Sequence, residues 1–148
     1  MNDKAKELNA SLVLVNDRLH FTGTTEKNAP ISIDYIPPLG DSLGYTSLEL
    51  LLLSLSSCLG SAVLTFLRRM KKNIQGFAIH SRGIRSEEHP TAFKTIFMEM
   101  TVEAQDVTDA DLDSVIRLAE EKYCPVWAMM KGNVEIVVTH SSNDPATS

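Results

Sequence analysis

The sequence predicts a single α+β domain, with strands on both sides of a long core helix. Alternating apolar residues predict strands near the N-terminus, in the middle and near the C-terminus of the chain. Between the first two groups, an almost wholly apolar run over residues 48–72 is too long for one strand and predicts the helix. Because 148 residues with 43% hydrophobic side chains can build one ordinary core, we expect one domain over residues 1–148.

The N-terminal part of the chain predicts a small antiparallel meander. Its three expected strands are residues 11–15, 19–22 and 31–35. The pair Asn16-Asp17 lies between the first two and predicts a hairpin with a short turn. Pro37-Pro38 cannot continue the third strand, so the chain is expected to leave the sheet there.

The long apolar run predicts a helix over residues 47–72. Thr46-Ser-Leu-Glu49 has the spacing of a capping box, which marks the start of this helix. Residues 50–67 carry no charge and approach the length of about 20 residues that spans a membrane. Their serines, glycine and threonine make the run too polar for that, so we expect a helix buried in a soluble protein. We therefore expect no association with a membrane.

The second half of the chain predicts a hairpin, a helix and a closing strand. Residues 77–80 and 93–102 form the expected hairpin, and Thr108 is expected to cap a helix that ends where Cys124-Pro125 interrupts it. A helical turn over residues 126–130 and a strand over residues 134–138 then follow. The tail, about residues 141–148, is expected to be disordered.

Charge and composition exclude several classes of function. A net charge of −5 provides no field that would attract polyanions, so we expect no binding to nucleic acid. The N-terminus lacks an apolar signal-peptide stretch, so the expected compartment is the reducing cytoplasm. Four scattered histidines give no metal-ligand spacing, and no G-x-S-x-G motif indicates a serine hydrolase. We expect neither a metal nor a bound cofactor.

Cys58 lies in the middle of the predicted helix, among small side chains. Without further evidence, Cys58 is expected to be a small buried core residue, since free cysteine is among the most buried residue types. A catalytic reading requires a thiolate, and a mid-helix position offers no unpaired backbone N–H groups to stabilise one. The positive charge would have to come from an arginine brought near by folding. Four arginines are candidates for this role: Arg18, Arg82, Arg85 and Arg117.

Cys124 and Glu49 also allow two readings each. Cys124 lies at a helix break, where we expect a more exposed and mobile thiol that could resolve a sulfenic acid formed on Cys58. Such a bond requires Cα atoms within about 7 Å, which the sequence does not establish. Glu49 can cap the helix by accepting the backbone N–H of Thr46, or it can hold an arginine against the thiolate. Capping is the preferred reading, because nine residues of helix place Glu49 on the face opposite Cys58.

Three stretches of the chain resemble the OsmC/Ohr protein family, and more closely its YhfA-like branch. The first is SLELLLLSLSSC, with its glutamate nine residues before the cysteine. The second is IRSEEHPTAF, and the third is EEKYCPVWAMM. They occur in the family's order and at compatible distances, so the resemblance covers nearly the whole chain.

The resemblance implies an intertwined homodimer, in which two mixed sheets surround two central helices and the active sites lie at the subunit interface. The characterised enzymes of the family are thiol peroxidases that prefer organic hydroperoxides and use an external dithiol as reductant. By this resemblance Cys58 is the attacking thiolate and Cys124 is the resolving cysteine. The apolar substrate pocket is expected to use the following side chains: Leu51, Leu55, Phe66, Trp127 and Met130.

The chain departs from the family pattern at two of the expected catalytic positions. The peroxidases carry their glutamate ten residues before the cysteine, where this chain has Leu48 and Glu49 follows one step later. Their thiolate-binding arginine belongs to the N-terminal strands, where Arg18 is the only arginine, and Arg85 beside SEEHP is the other candidate. The alternative function is a non-catalytic or redox-sensing module that binds an apolar small molecule at the dimer interface. A third possibility is disulfide exchange with protein partners.

Overall fold

The computed structural model describes residues 5–145. Within them the chain forms two compact units, residues 5–51 and residues 52–145, which we describe in turn. The α+β class and the order of strands and helices match the prediction. That the two units act as one domain stays a prediction.

The first unit contains an antiparallel sheet of three strands. They are β1 (Ala10–Leu14), β2 (Phe21–Thr25) and β3 (Ile31–Ile33), in the order β1-β2-β3. The predicted meander is confirmed, but its first connection is longer than the expected tight turn, since Leu14 pairs with Phe21. The Asn16 side chain organises this loop, because its Oδ1 accepts hydrogen bonds from the backbone N–H groups of Arg18 (3.0 Å) and His20 (3.1 Å).

A buried carboxylate shapes the segment that leads from β3 to the helix. Asp34 is only 3% exposed, and its oxygens accept hydrogen bonds from the backbone N–H groups of Tyr35 (2.7 Å), Asp41 (3.2 Å) and Leu43 (3.1 Å). Burial would raise the pKa of Asp34, but these three hydrogen bonds to its anion lower the pKa overall. The carboxylate therefore fixes the loop in one conformation.

The long helix α1 runs from Ser47 to Arg69 and has one buried face. It ends three residues before the predicted Lys72, because Lys71 adopts a positive φ of 62° that no α-helix continues. Within the described residues it is the one helix that is long and apolar enough to cross a membrane. The expectation that it is buried on all sides is wrong for the single chain, since Leu53 is 53% exposed.

The second unit contains a mixed sheet of three strands. These are β4 (Gly76–Arg85), β5 (Phe93–Glu103) and β6 (Glu135–Asn143), in the order β4-β5-β6. The predicted hairpin of β4 and β5 is antiparallel, whereas β6 pairs with β5 in parallel. In the described part of one chain this sheet is mixed and the first sheet is antiparallel. The dimer with two mixed sheets around two central helices stays a prediction.

Helices connect β5 to β6, as a parallel pair of strands requires. Helix α2 (Asp109–Leu118) begins with the predicted cap, in which Thr108 and Asp111 exchange side-chain and backbone hydrogen bonds. A π-helical turn over Ala119–Tyr123 follows, and Cys124 separates it from the short helix α3 (Pro125–Met130). Alternate residues of β5 and one face of α2 supply much of the core: Ile96, Met98, Met100, Val102, Leu112 and Val115.

The last strand extends into the predicted disordered tail. Ser141, Ser142 and Asn143 continue the parallel ladder with β5. The Ser142 hydroxyl also donates a 3.0 Å hydrogen bond to the carbonyl of Val107, and the Asn143 carbonyl accepts the N–H of Ala104 at 2.9 Å. These hydrogen bonds order the beginning of the tail, whose residues 146–148 lie outside the described part of the chain.

Candidate active site

The two cysteines of the chain meet in the second unit. Cys58 projects from the middle of α1 and Cys124 from the junction between the π-helical turn and α3. Both are free thiols, and the structure places them 3.1 Å apart. The sequence left open whether the two thiols approach each other, and the structure brings them into contact.

The exposure of the two thiols is the reverse of what the sequence suggested. Cys124 is only 2% exposed, whereas Cys58 is partly exposed. The expectation of an exposed and mobile Cys124 at a helix break is wrong because the break is itself hydrogen-bonded. The N–H of Cys124 donates to the carbonyl of Ala119 (2.9 Å), and its own carbonyl accepts the N–H of Ala128 (3.0 Å).

Burial keeps Cys124 protonated. It raises the pKa of the Cys124 thiol to about 12, and the hydrogen bond to Cys58 acts in the same direction. Hydrogen bonding from the backbone of Trp127 and Val126 acts in the opposite direction, but burial outweighs it. At neutral pH, Cys124 is therefore a protonated thiol.

The π-helical turn before Cys124 is a feature that sequence reasoning missed. It places one more residue in the turn than an α-helix does, and so changes the direction of the side chain that follows. Pro125 was read correctly as the end of the preceding helix, but no residue in EEKYC distinguishes a π turn from an α-helical one. The ring of Tyr123 anchors this turn to α1, with its centroid 4.9 Å from that of Phe66.

An apolar cleft lies between α1 and β4. It has a volume of about 360 Å³ and is lined from α1 by Leu53, Ser56, Ser57, Gly60, Ser61 and Leu64, and from β4 by Phe77, Ala78 and Ile79. The small helix residues predicted around Cys58 thus leave room beside the helix. Of the pocket residues expected from the resemblance, Leu55, Trp127 and Met130 are buried in the single chain and do not line this cleft. Their part in a substrate pocket stays a prediction.

Arg18 and Arg85, the two arginines predicted to activate Cys58, both have partners. Arg18 forms an ion pair with Asp41 and donates to the carbonyl of Pro38. Arg85 donates from Nε to the Thr91 carbonyl (2.8 Å) and from Nη2 to the Thr91 hydroxyl (2.6 Å). Both guanidinium groups therefore brace loops of their own units.

The other two candidate arginines lie on β4 and α2. The guanidinium of Arg82 lies over the ring of Phe97, 4.5 Å from its centroid, which is a cation–π contact. Arg117 occupies the last turn of α2. The identity of the cation that activates Cys58 stays a prediction.

Glu49 takes the position that the capping hypothesis predicts. Its Oε1 accepts the backbone N–H of Thr46 at 2.9 Å, while the Thr46 hydroxyl accepts the N–H of Glu49 at 3.2 Å. The hydrogen bond from the Thr46 backbone lowers the pKa of the Glu49 carboxyl, and the Thr46 side chain adds to this. The capping box is confirmed, whereas a catalytic role for Glu49 stays a prediction.

The order of strands and helices agrees with the comparisons with known proteins. The model of the family described as OsmC-like protein matches residues 40–139. The chain belongs to the OsmC-like protein family. Among curated proteins it is similar to Protein YhfA of Escherichia coli (strain K12), with 29% identity over 94 residues, 64% of this chain and 69% of that protein.

Solved structures show the same fold. A hypothetical protein from Aquifex aeolicus VF5 is 25% identical, with a TM-score of 0.82 over 94% of this chain and 98% of that one. An organic hydroperoxide resistance protein from Elizabethkingia anophelis is 17% identical, with a TM-score of 0.72 over 96% of this chain and 100% of that one. The OsmC-like fold predicted by the three sequence stretches is confirmed.

Proposed function

We propose that this OsmC-like protein is a thiol peroxidase that reduces organic hydroperoxides, with Cys58 as nucleophile and Cys124 as resolving thiol. The observation that carries the proposal is the contact between two free thiols that differ in burial. A solved relative of the same fold is described as an organic hydroperoxide resistance protein, which supports the class of substrate.

The proposed cycle has three steps. The Cys58 thiolate attacks one peroxide oxygen, the O–O bond breaks, and the released alkoxide takes a proton to become the alcohol, which leaves Cys58 as a sulfenic acid. The Cys124 sulfur then attacks the Cys58 sulfur, the S–O bond breaks, and hydroxide leaves as water with the Cys124 proton. An external dithiol reduces the resulting disulfide by thiol exchange and becomes oxidised itself. No bound cofactor or metal takes part in this scheme.

We further propose that the protein works as a homodimer in the cytoplasm, without nucleic-acid or membrane partners. Apolar side chains that are exposed in the single chain support an association with a second copy. On β1 these are Leu12, Val13 and Leu14, exposed by 56%, 60% and 50% respectively. An apolar surface of this kind is typical of a protein interface.

Peroxide consumption with defined variants tests the proposal. Purified protein is mixed with tert-butyl hydroperoxide and dithiothreitol, and the loss of peroxide is followed with time. We expect turnover by the wild-type protein and by Thr65→Ala, a control on the same helix whose hydroxyl donates to the carbonyl of Ser61. Cys58→Ser should be inactive. Cys124→Ser, mixed with one equivalent of peroxide in the absence of dithiothreitol, should accumulate a sulfenic acid on Cys58 that dimedone traps. Turnover by Cys58→Ser, or none by the wild type, contradicts the proposal.

A second candidate function is a non-catalytic module that binds an apolar small molecule. The cleft between α1 and β4 favours it, since it is lined mostly by apolar side chains. The rate of alkylation separates the two candidates, because an unactivated thiol makes a poor peroxidase. If Cys58 reacts with iodoacetamide at neutral pH no faster than free cysteine does, the binding module is favoured. Disulfide exchange with proteins fits the structure less well, because Cys124 is buried.

A further inference from the structure

The thiolate proposed at Cys58 needs a hydrogen-bond donor, and its own helix provides none. Cys58 lies in the interior of α1, where the backbone N–H groups are already bonded within the helix. The group in contact with its side chain is the Cys124 thiol, 3.1 Å away. Cys124, to which the proposed cycle assigns only the second step, therefore lies beside Cys58 before the first step takes place.

We propose that the Cys124 thiol donates its S–H to the Cys58 thiolate, and so helps to hold Cys58 in the nucleophilic form before Cys124 acts as the resolving thiol. Its catalytic meaning rests on the proposed peroxidase function. The hydrogen bond itself does not, since it depends only on the contact between the two side chains.

Burial sets the direction of this hydrogen bond. The sulfur of Cys124 is almost completely removed from water, which penalises its anion and keeps its proton in place. Cys58 is the less buried of the two thiols in the single chain. The thiol that keeps its proton is the donor, and the sulfur of Cys58 beside it is the acceptor. A hydrogen bond to an ionised group is stronger than one between neutral groups.

The backbone around Cys124 holds its sulfur in this position. The N–H of Cys124 is bonded to Ala119 and its carbonyl to Ala128, so the residue is fixed on both sides. The neighbouring ring of Tyr123 packs on Phe66 of α1, which ties the same segment to the helix that carries Cys58. The donor is therefore preorganised, and little entropy is lost when Cys58 ionises.

The same S–H group serves two steps without any additional reactant. It donates to the sulfur of Cys58 while that sulfur is an anion. Once Cys58 has become a sulfenic acid, the anion no longer exists and the proton is free to leave with the hydroxide as water. When the disulfide forms, Cys124 loses its proton and the hydrogen bond that promoted the first step no longer exists.

The pH dependence of Cys58 alkylation tests this role without hydroperoxide. Reduced wild-type protein, Cys124→Ser and Cys124→Ala are treated with iodoacetamide over a range of pH, and modified Cys58 is quantified by mass spectrometry of its peptide. Serine keeps a hydroxyl donor and alanine has none. We expect Cys124→Ala to react about 2- to 10-fold more slowly at pH 7, with its profile shifted to higher pH, as the loss of one hydrogen bond predicts. Cys124→Ser should remain closer to the wild type.

Two controls and one further variant make the result decisive. Cys58→Ser shows that Cys124 itself is not alkylated, and thermal unfolding confirms that each variant folds. If Cys124→Ala unfolds because of its cavity, Cys124→Val fills the site without a donor and should show the same slow reaction. Alanine or valine profiles that coincide with the wild-type profile overturn the proposal. A shifted profile in a protein that consumes no hydroperoxide supports the hydrogen bond but contradicts the peroxidase function.

Discussion

Thr46 and Glu49 exchange two hydrogen bonds across the first turn of α1. The side chain of each accepts the backbone N–H of the other, so the Glu49 carboxylate is hydrogen-bonded at the N-terminus of the helix. The family's peroxidases are expected to use a glutamate one position earlier, where this chain has Leu48. The structure therefore supplies a reason for Glu49 that is independent of catalysis.

We expect Glu49→Gln to preserve both hydroperoxide turnover and stability at pH 7, because the amide oxygen can accept the same hydrogen bond. Thr46→Ala removes the cap and should lower the free energy of unfolding by about 1 kcal/mol. Urea unfolding and the peroxide assay check both variants. A large loss of turnover in Glu49→Gln, without a loss of stability, would show that the carboxylate takes part in the chemistry.

Arg85 is expected to stabilise the loop between β4 and β5. Its guanidinium bonds to the carbonyl and hydroxyl of Thr91, across the loop that joins β4 to β5. We expect Arg85→Ala to speed amide hydrogen exchange at Ser86 and Thr91 while changing hydroperoxide turnover less than twofold, because the loop loosens and the thiols do not move. Arg69→Ala is the matched control, since Arg69 is not among the four candidate arginines and lies over the Phe66 ring. A fall in turnover of a hundredfold in Arg85→Ala would instead identify Arg85 as the activating cation.

Reduced protein should lose stability in alkali because of Cys124. The pKa of this thiol is raised from 9.0 to about 12 in the folded chain, so above pH 9 the unfolded chain loses its proton while the folded chain keeps it. The free energy of unfolding therefore falls as pH rises, by about 1 kcal/mol at pH 10. Urea unfolding with a reductant present, from pH 8 to 10.5, measures this slope. We expect a shallower slope for Cys124→Ala, and equal slopes would contradict the assignment to Cys124.

Gly83 leaves room for the ring of Phe93 on the adjacent strand. A Cβ added at Gly83 would lie 2.3 Å from Cε1 of this buried ring. We expect Gly83→Ala to lower the free energy of unfolding by about 1–3 kcal/mol, as overpacking does. Gly60→Ala is the matched control, because its Cβ would meet only the edge of Phe77 at 3.1 Å and alanine favours the helix. Thermal unfolding should rank Gly83→Ala well below Gly60→Ala.

Local patterns in the sequence predicted those parts of the molecule that depend on neighbouring residues. The cap at Thr46 and the end of a helix before Pro125 follow from short-range hydrogen bonding and steric exclusion, and both are found in the structure. The burial of Cys124 was predicted wrongly because it depends on a π turn and on packing against α1, which involves residues far away in the sequence. The partners of the arginines were missed for the same reason.

The parallel pairing of β5 and β6 places α2, the π turn and α3 in one crossover, and Cys124 within it. In the proposed cycle, oxidation would close a covalent loop that runs from α1 through β4 and β5 to α3. Closing a loop of that size removes conformational freedom from the unfolded chain, which is worth on the order of 4 kcal/mol in a chain-entropy account. Each turnover thus alternates between an oxidised chain that is cross-linked and a reduced chain that is not. The reduced chain, which reacts with the next peroxide, is the form that unfolds at the lower temperature.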